Sequence, residues 1–145
     1  MTMGDRCNFP QWLTLQGLRT TPVRLAVLDI LADAPRALRA LEILEVLRAR
    51  RRVNKVTVYR TLEDFTRRGL VRKLTLEGRV NHFELACEHH PPHPHFQCHS
   101  CHEVQCLEPV ALHKMWTELR GPLGNRADHI DIKVAGLCHK CREVT

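Results

Sequence analysis

Cys98-His99-Ser100-Cys101 and Cys138-His139-Lys140-Cys141 each set two thiols three positions apart. Two intervening residues let both sulfurs face one ion while the amides between them turn back toward the thiolates. Four thiolates suit tetrahedral Zn²⁺ in a closed, structural site. A single such pair would fit a redox dithiol equally well; two pairs point to structural zinc on Cys98, Cys101, Cys138 and Cys141. A second concentration of ligands lies upstream: His82, Glu84, Cys87, Glu88, His89, His90, His93 and His95, interrupted by Pro91, Pro92 and Pro94. A solvated His/Pro linker is the bland reading. Five imidazoles in fourteen residues beside a cysteine favour metal binding instead. A thiolate, imidazoles and a carboxylate together suit Zn²⁺ or a neighbouring divalent transition metal. His113 and His129 are a further pair that could meet as a separate distal site. His99, His102 and His139 read as neighbours of the knuckles, Cys106 as a core residue and Cys7 as an exposed terminal thiol.

These ligands must be positioned by a chain of 145 residues with a formal charge of +6. Six of the seven cysteines and nine of the ten histidines fall after residue 86. Charge divides at the same place. Residues 1–85 carry 16 basic and 9 acidic side chains, whereas residues 86–145 carry 6 and 7. The composition describes two modules, one cationic and one rich in soft ligands. At 43% hydrophobic residues the chain has material for a core, and no apolar run nears the roughly 20 residues that cross a bilayer. No export signal is read at the N-terminus, so a cytoplasmic location with no membrane partner is expected, and disulfides lose weight against metal.

In the cationic module, Thr21-Pro22 reads as a helix start, with Thr as N-cap and Pro at the first position. Val23, Val27, Ile30, Leu31 and Ala34 continue it to about residue 34, before Pro35. A preceding short helix is expected near residues 11–17. A second amphipathic stretch covers residues 38–50, with Leu41, Leu44 and Leu47 three apart. Asn54 caps the next helix, whose inner face is Val58, Leu62 and Phe65 and whose end is Gly69. The period then changes to two, predicting strands over 70–76 and 79–86 joined at Glu77-Gly78. Helices followed by a β-hairpin describe a winged helix-turn-helix, which places its recognition helix in the major groove of double-stranded DNA. The solvent face of that helix carries Lys55, Tyr59, Arg60, Arg67 and Arg68, suited to phosphates and base edges. In the ligand-rich module, the 36 residues between the knuckles predict a strand over 103–107, a helix over 109–120 and a strand over 129–137. The expected class is α+β: an N-terminal winged-helix DNA-binding domain (1–86), a metal-binding hinge (87–97) and a small C-terminal α/β domain stapled by zinc (98–145).

Several stretches in order resemble the ferric uptake regulator family of metal-responsive repressors. They are Gly17-Leu18-Arg19-Thr20-Thr21-Pro22-Val23-Arg24, Thr57-Val58-Tyr59-Arg60-Thr61-Leu62, Gly69-Leu70-Val71, His82-Phe83-Glu84-Leu85 and His93-Pro94-His95-Phe96-Gln97-Cys98. The resemblance implies a homodimer joined through the C-terminal modules and two winged helices on an AT-rich inverted repeat. It sets Tyr59 and Arg60 toward the major groove and Arg19 near the minor groove. It makes the hinge metal the sensor. Cys87, His93 and His95 fit the zinc-responsive branch, with Glu84 or His82 completing the shell and Zn²⁺ as the regulatory metal. Glu84 with the later histidines fits the iron branch, with Fe²⁺ or Mn²⁺, though Arg36 and Ala37 stand where that branch has a histidine. His113 falls at the family's distal metal position, with His129 one residue away from its place. The expected function is zinc-dependent repression of metal-uptake genes, with an iron- or manganese-responsive regulator as the alternative. A zinc hydrolase or thiol oxidoreductase is the remote one: no HExxH-type motif is present and no small-molecule substrate is implied.

Overall fold

The computed structural model describes residues 7–76, 79–127 and 130–144. The chain divides into two compact units, Met1–Thr75 with Arg79–His90, and Leu76–Gly78 with Pro91–Thr145.

The first unit begins with α1 (Phe9–Leu15), entered through Asn8, whose side chain accepts from the Gln11 N–H. Helix α2 (Pro22–Asp33) starts at Thr21, whose hydroxyl accepts from the Arg24 N–H at 3.3 Å, and stops before Pro35. Strand β1 (Leu38–Arg39) leads directly into α3 (Ala40–Arg48), and α4 (Lys55–Arg67) follows from its Asn54 cap. The hairpin is β2 (Val71–Thr75) and β3 (Asn81–Leu85), antiparallel, with β1 on the far side of β3. The turn expected at Glu77-Gly78 lies outside the described residues.

Two corrections apply to the stretch expected as one helix over 38–50. Leu38 pairs with Phe83 and Arg39 with His82, so sheet pairing claims the first two residues. The buried face of α3 is Ala40, Ile43, Leu44 and Leu47, and Leu41 is exposed. Leu44 and Leu47 of the expected spacing are buried, and Ile43 rather than Leu41 completes the stripe.

α1 and α4 end in the same way. Gly17 (φ +72°) and Gly69 (φ +74°) take the left-handed conformation that stops a helix. Leu18 N–H then reaches back to Leu13 O at 2.8 Å, and Leu70 N–H to Phe65 O at 2.9 Å. Arg68 links the two ends by donating from Nη1 to Gln16 O at 2.6 Å. Around them Phe9, Leu13, Leu28, Ile43, Leu47, Leu62 and Phe65 form one closed core. Its burial fixes which face of α4 is left to solvent.

In the second unit, β4 (His95–Cys98) is the central strand. It pairs antiparallel with β5 (Val104–Cys106) and parallel with β6 (Lys133–Gly136). Helix α5 (Pro109–Leu123) runs a turn further than the sequence suggested and continues into a short 3-10 helix. Helix α6 (His139–Glu143) starts at Cys138. Gly136 suits its place beside Phe96, because a Cβ there would stand 3.3 Å from the ring.

Candidate metal centres and nucleic-acid interface

The four knuckle cysteines converge. Cys98 closes β4, Cys101 lies in the turn before β5, Cys138 begins α6 and Cys141 sits on it. One ligand atom from each lies within 4.8 Å of all the others. Cys101 Sγ and Cys138 Sγ are 3.7 Å apart, and thiolates on a tetrahedral ion at ≈ 2.3 Å lie roughly 3.8 Å from one another. The turn that makes this fit bends at His102 (φ +60°), with His102 N–H donating to Cys98 O and Cys98 N–H to Glu103 O. Cys98 Sγ accepts from the Cys138 N–H at 3.3 Å. That amide, with those of Cys101 and Ser100, lowers the Cys98 thiol to about 6. Cys101 goes the other way, to about 12: the Glu103 amide lowers it, but burial and the thiols of Cys98, Cys138 and Cys141 outweigh that. Crowded thiolates repel until a cation sits among them, so the donor set fits a closed zinc centre. Among the described residues this group includes none of His99, His102 and His139.

His93 and His95 come together with Cys106 in the second unit, each offering a ligand atom within 4.8 Å of the others. The register explains it. His95 stands directly across from Cys106 in the β4–β5 pair, which puts both side chains on one face of the sheet. The His93 and His95 rings are 4.5 Å apart between centroids. His93 Nδ1 lies 2.9 Å from the Pro91 carbonyl, which can only accept, so Nδ1 is the donor. His95 is 3% exposed, and Cys106, expected in the core, is only half-buried.

Cys87, expected with those two histidines, instead keeps company with Cys7 and His90 in the first unit. Cys7 is half-buried rather than exposed, because its neighbour Phe9 is drawn into the core. Burial, together with the neighbouring Cys87 thiol, pushes the Cys7 thiol up to about 11. Glu84 is buried on β3, where Arg72 across the hairpin donates from Nε at 2.9 Å. His82, also buried on β3, donates from Nδ1 to Val80 O, and burial lowers its pKa. Among the described residues His82 joins no ligand group. His113 is exposed on α5, beside an apolar pocket of ≈ 320 Å³ that includes Trp116 and Leu112. Its expected partner His129 lies outside the described residues.

The solvent face of α4 presents Lys55, Tyr59 and Arg60, all exposed, with Lys55 Nζ 5.4 Å from the centre of the Tyr59 ring. Beside them a cleft of ≈ 620 Å³ is lined by Tyr59 and Arg67 of α4, Lys73 of β2, and Arg39 and Arg79. Arg67 is paired to Asp64 at 2.6 Å, so its charge is partly met within the helix. Arg19 is exposed, and its carbonyl accepts from the Arg24 guanidinium. Arg39, Lys73 and Arg79 went unnamed in the sequence, although a basic residue on each hairpin strand was a readable signal. Cys106 and Cys7 went unnamed as ligands because only pairing register and burial bring them to a histidine.

The ferric uptake regulator family model matches residues 15–135. The chain belongs to the ferric uptake regulator family. Its curated relatives include the ferric uptake regulation protein of Shigella flexneri, 29% identical over 131 residues, 88% of this chain and 87% of that one. The Vibrio cholerae ferric uptake regulator superposes with a TM-score of 0.73 at 27% identity, covering 89% of this chain and 98% of the other. A zinc uptake regulator complexed with zinc and DNA gives 0.60 at 28% identity, covering 92% and 90%. The fold is therefore the family's N-terminal DNA-binding domain and C-terminal dimerisation domain. Its members are metal-responsive transcription factors that bind DNA and dimerise; they are not enzymes. Among the described residues no helix is long and apolar enough to cross a membrane.

Proposed function

We propose that this chain is a zinc-responsive repressor of metal-uptake genes, acting as a homodimer on an AT-rich inverted-repeat operator. The observation that carries the reading is the meeting of His93, His95 and Cys106. Two imidazoles and a thiol favour Zn²⁺ over the harder Fe²⁺ and Mn²⁺. The likeness to a zinc uptake regulator held with zinc and DNA supports the same choice. In this reading His93 and His95 hold the regulatory ion with Cys106 as the thiolate. A structural zinc occupies Cys98, Cys101, Cys138 and Cys141.

On the DNA side, α4 enters the major groove with Tyr59 and Arg60 toward base edges and Lys55 toward phosphate. Lys73 and Arg79 of the hairpin add cations to the phosphate contacts. Arg19 takes the minor-groove position that the resemblance gives it. Self-association runs through the second unit, which leaves Met115, Leu119, Leu123, Val134 and Leu137 exposed. The regulatory metal acts by binding the DNA-competent state more tightly than the other state, which shifts the population toward it. An iron- or manganese-responsive regulator is the alternative, supported by the relatives named for ferric uptake. Operator-DNA binding, titrated anaerobically with buffered Zn²⁺, Fe²⁺ and Mn²⁺, separates the two.

A further inference from the structure

Cys7, Cys87 and His90 lie apart in the sequence from the knuckles and on a different unit from His93 and His95. Their meeting is built from both ends. Cys7 stands just before the Asn8 cap, and its carbonyl accepts from the Phe9 N–H at 3.0 Å. Phe9 and Leu13 anchor α1 in the core, and Cys7 packs against that core. On the other side, Ala86 N–H bonds to Leu70 O, which holds the chain in place as it leaves β3. Cys87 to His90 then form a tight turn closed by His90 N–H to Cys87 O at 2.8 Å. The turn folds the imidazole back so that His90 Nδ1 is 2.9 Å from Cys87 Sγ. Cys7 Sγ is 3.3 Å from Cys87 Sγ and 3.6 Å from His89 Nδ1.

We propose that Cys7, Cys87 and His90, with His89 in reach as a fourth donor, form a further Zn²⁺ site within the first unit. A Cys-x-x-His turn presents two soft donors to one ion in the same manner as a knuckle, and Cys7 supplies the third from outside the turn. Two thiolates and two imidazoles are a complete tetrahedral set. Around such an ion the donors spread to roughly 3.6–3.8 Å. Cys7 and Cys87 need only a fraction of an ångström to reach that separation, which rotation of two half-buried side chains supplies. A disulfide would account for the two sulfurs but give no role to an imidazole beside each of them. The ion would tie α1 to the closing turn of the first unit, the last residues before Pro91. This site is separate from the regulatory one, and Cys87 belongs to it.

The test counts metal on the full-length protein, kept reduced and anaerobic, saturated with Zn²⁺ and read by native mass spectrometry. Cys7→Ser and His90→Ala are each expected to lose one equivalent of zinc per chain, and the double variant no more than either. His93→Ala is expected to lose a different equivalent, so that combining it with Cys7→Ser loses both. Thermal melts of each variant establish that the first unit is folded. Retention of the full wild-type complement by Cys7→Ser overturns the proposal. So does a Cys7–Cys87 disulfide in protein isolated and alkylated without exposure to air. Neither result bears on whether His93 and His95 sense zinc, which DNA binding by His93→Ala reads independently.

Discussion

Replacing Cys98 with serine is expected to unfold one unit and spare the other. Between residues 91 and 144, the buried hydrophobic side chains among the described residues are Cys98, Val104 and Leu112. Burial of Val104 and Leu112 stabilises by roughly 3–6 kcal/mol. Zinc on four thiolates would contribute on the order of 10–16 kcal/mol at neutral pH, more than the burial of those two side chains. Cys98 is the ligand whose loss does most: it is fully buried, it accepts the Cys138 amide, and it ends the central strand. The first unit has its own core, from Phe9 to Leu85, and none of the four knuckle ligands lies in it. Hydrogen exchange followed by mass spectrometry reads the two units separately. In Cys98→Ser, and in wild-type protein stripped by a strong chelator, amides of β4, β5 and β6 should exchange freely. Those of α2, α3 and α4 should stay protected. Full protection of β4–β6 without metal, or loss of protection in α2–α4 together with them, would show that the metal does not hold the second unit alone.

Other consequences follow from single residues. Gly69→Ala costs about 1 kcal/mol from the left-handed backbone alone, because a Cβ there meets nothing within 4 Å. Gly17→Ala costs more, since its Cβ stands 3.3 Å from Arg68 Nη1; urea melts of the two variants check the order. Burial of Glu42 would raise its pKa, but the Arg36 guanidinium and the Arg39 N–H override burial and hold it at about 2. Its contribution to stability is therefore complete above about 4.5, the ordinary value, and is lost as pH falls toward about 2. Glu42→Gln should flatten the stability–pH curve over that window. Lys55→Ala should lower the slope of log affinity against log salt by about 0.9, the loss of one phosphate contact. Arg67→Ala should change it less, because Asp64 already pairs with that guanidinium.

The winged helix was legible because its signals are local. Thr21-Pro22, Asn54 and Gly69 mark helix ends through their own hydrogen-bonding and backbone chemistry, and the structure uses each of them. The four-thiol centre was legible because each knuckle carries its own spacing. What was lost depends on partners distant in sequence. β4 hides inside a run read for its ligands, and its four residues become a central strand only when β5 and β6 flank them. Cys106 reaches His95 through register, and Cys7 reaches Cys87 across 80 positions. Leu38 was assigned to a helix because its pairing with Phe83 has no local signature.

The proposed function has this regulator grip DNA in response to zinc bound by His93 and His95. It is tested most directly by anaerobic binding of operator-like DNA to protein holding its structural zinc, titrated with buffered Zn²⁺, Fe²⁺ and Mn²⁺. Tight binding is expected at far lower free zinc than iron or manganese, with loss of that response in His93→Ala while the second unit stays folded. Binding that ignores zinc, or that follows Fe²⁺ or Mn²⁺ at lower free metal than Zn²⁺, would contradict it.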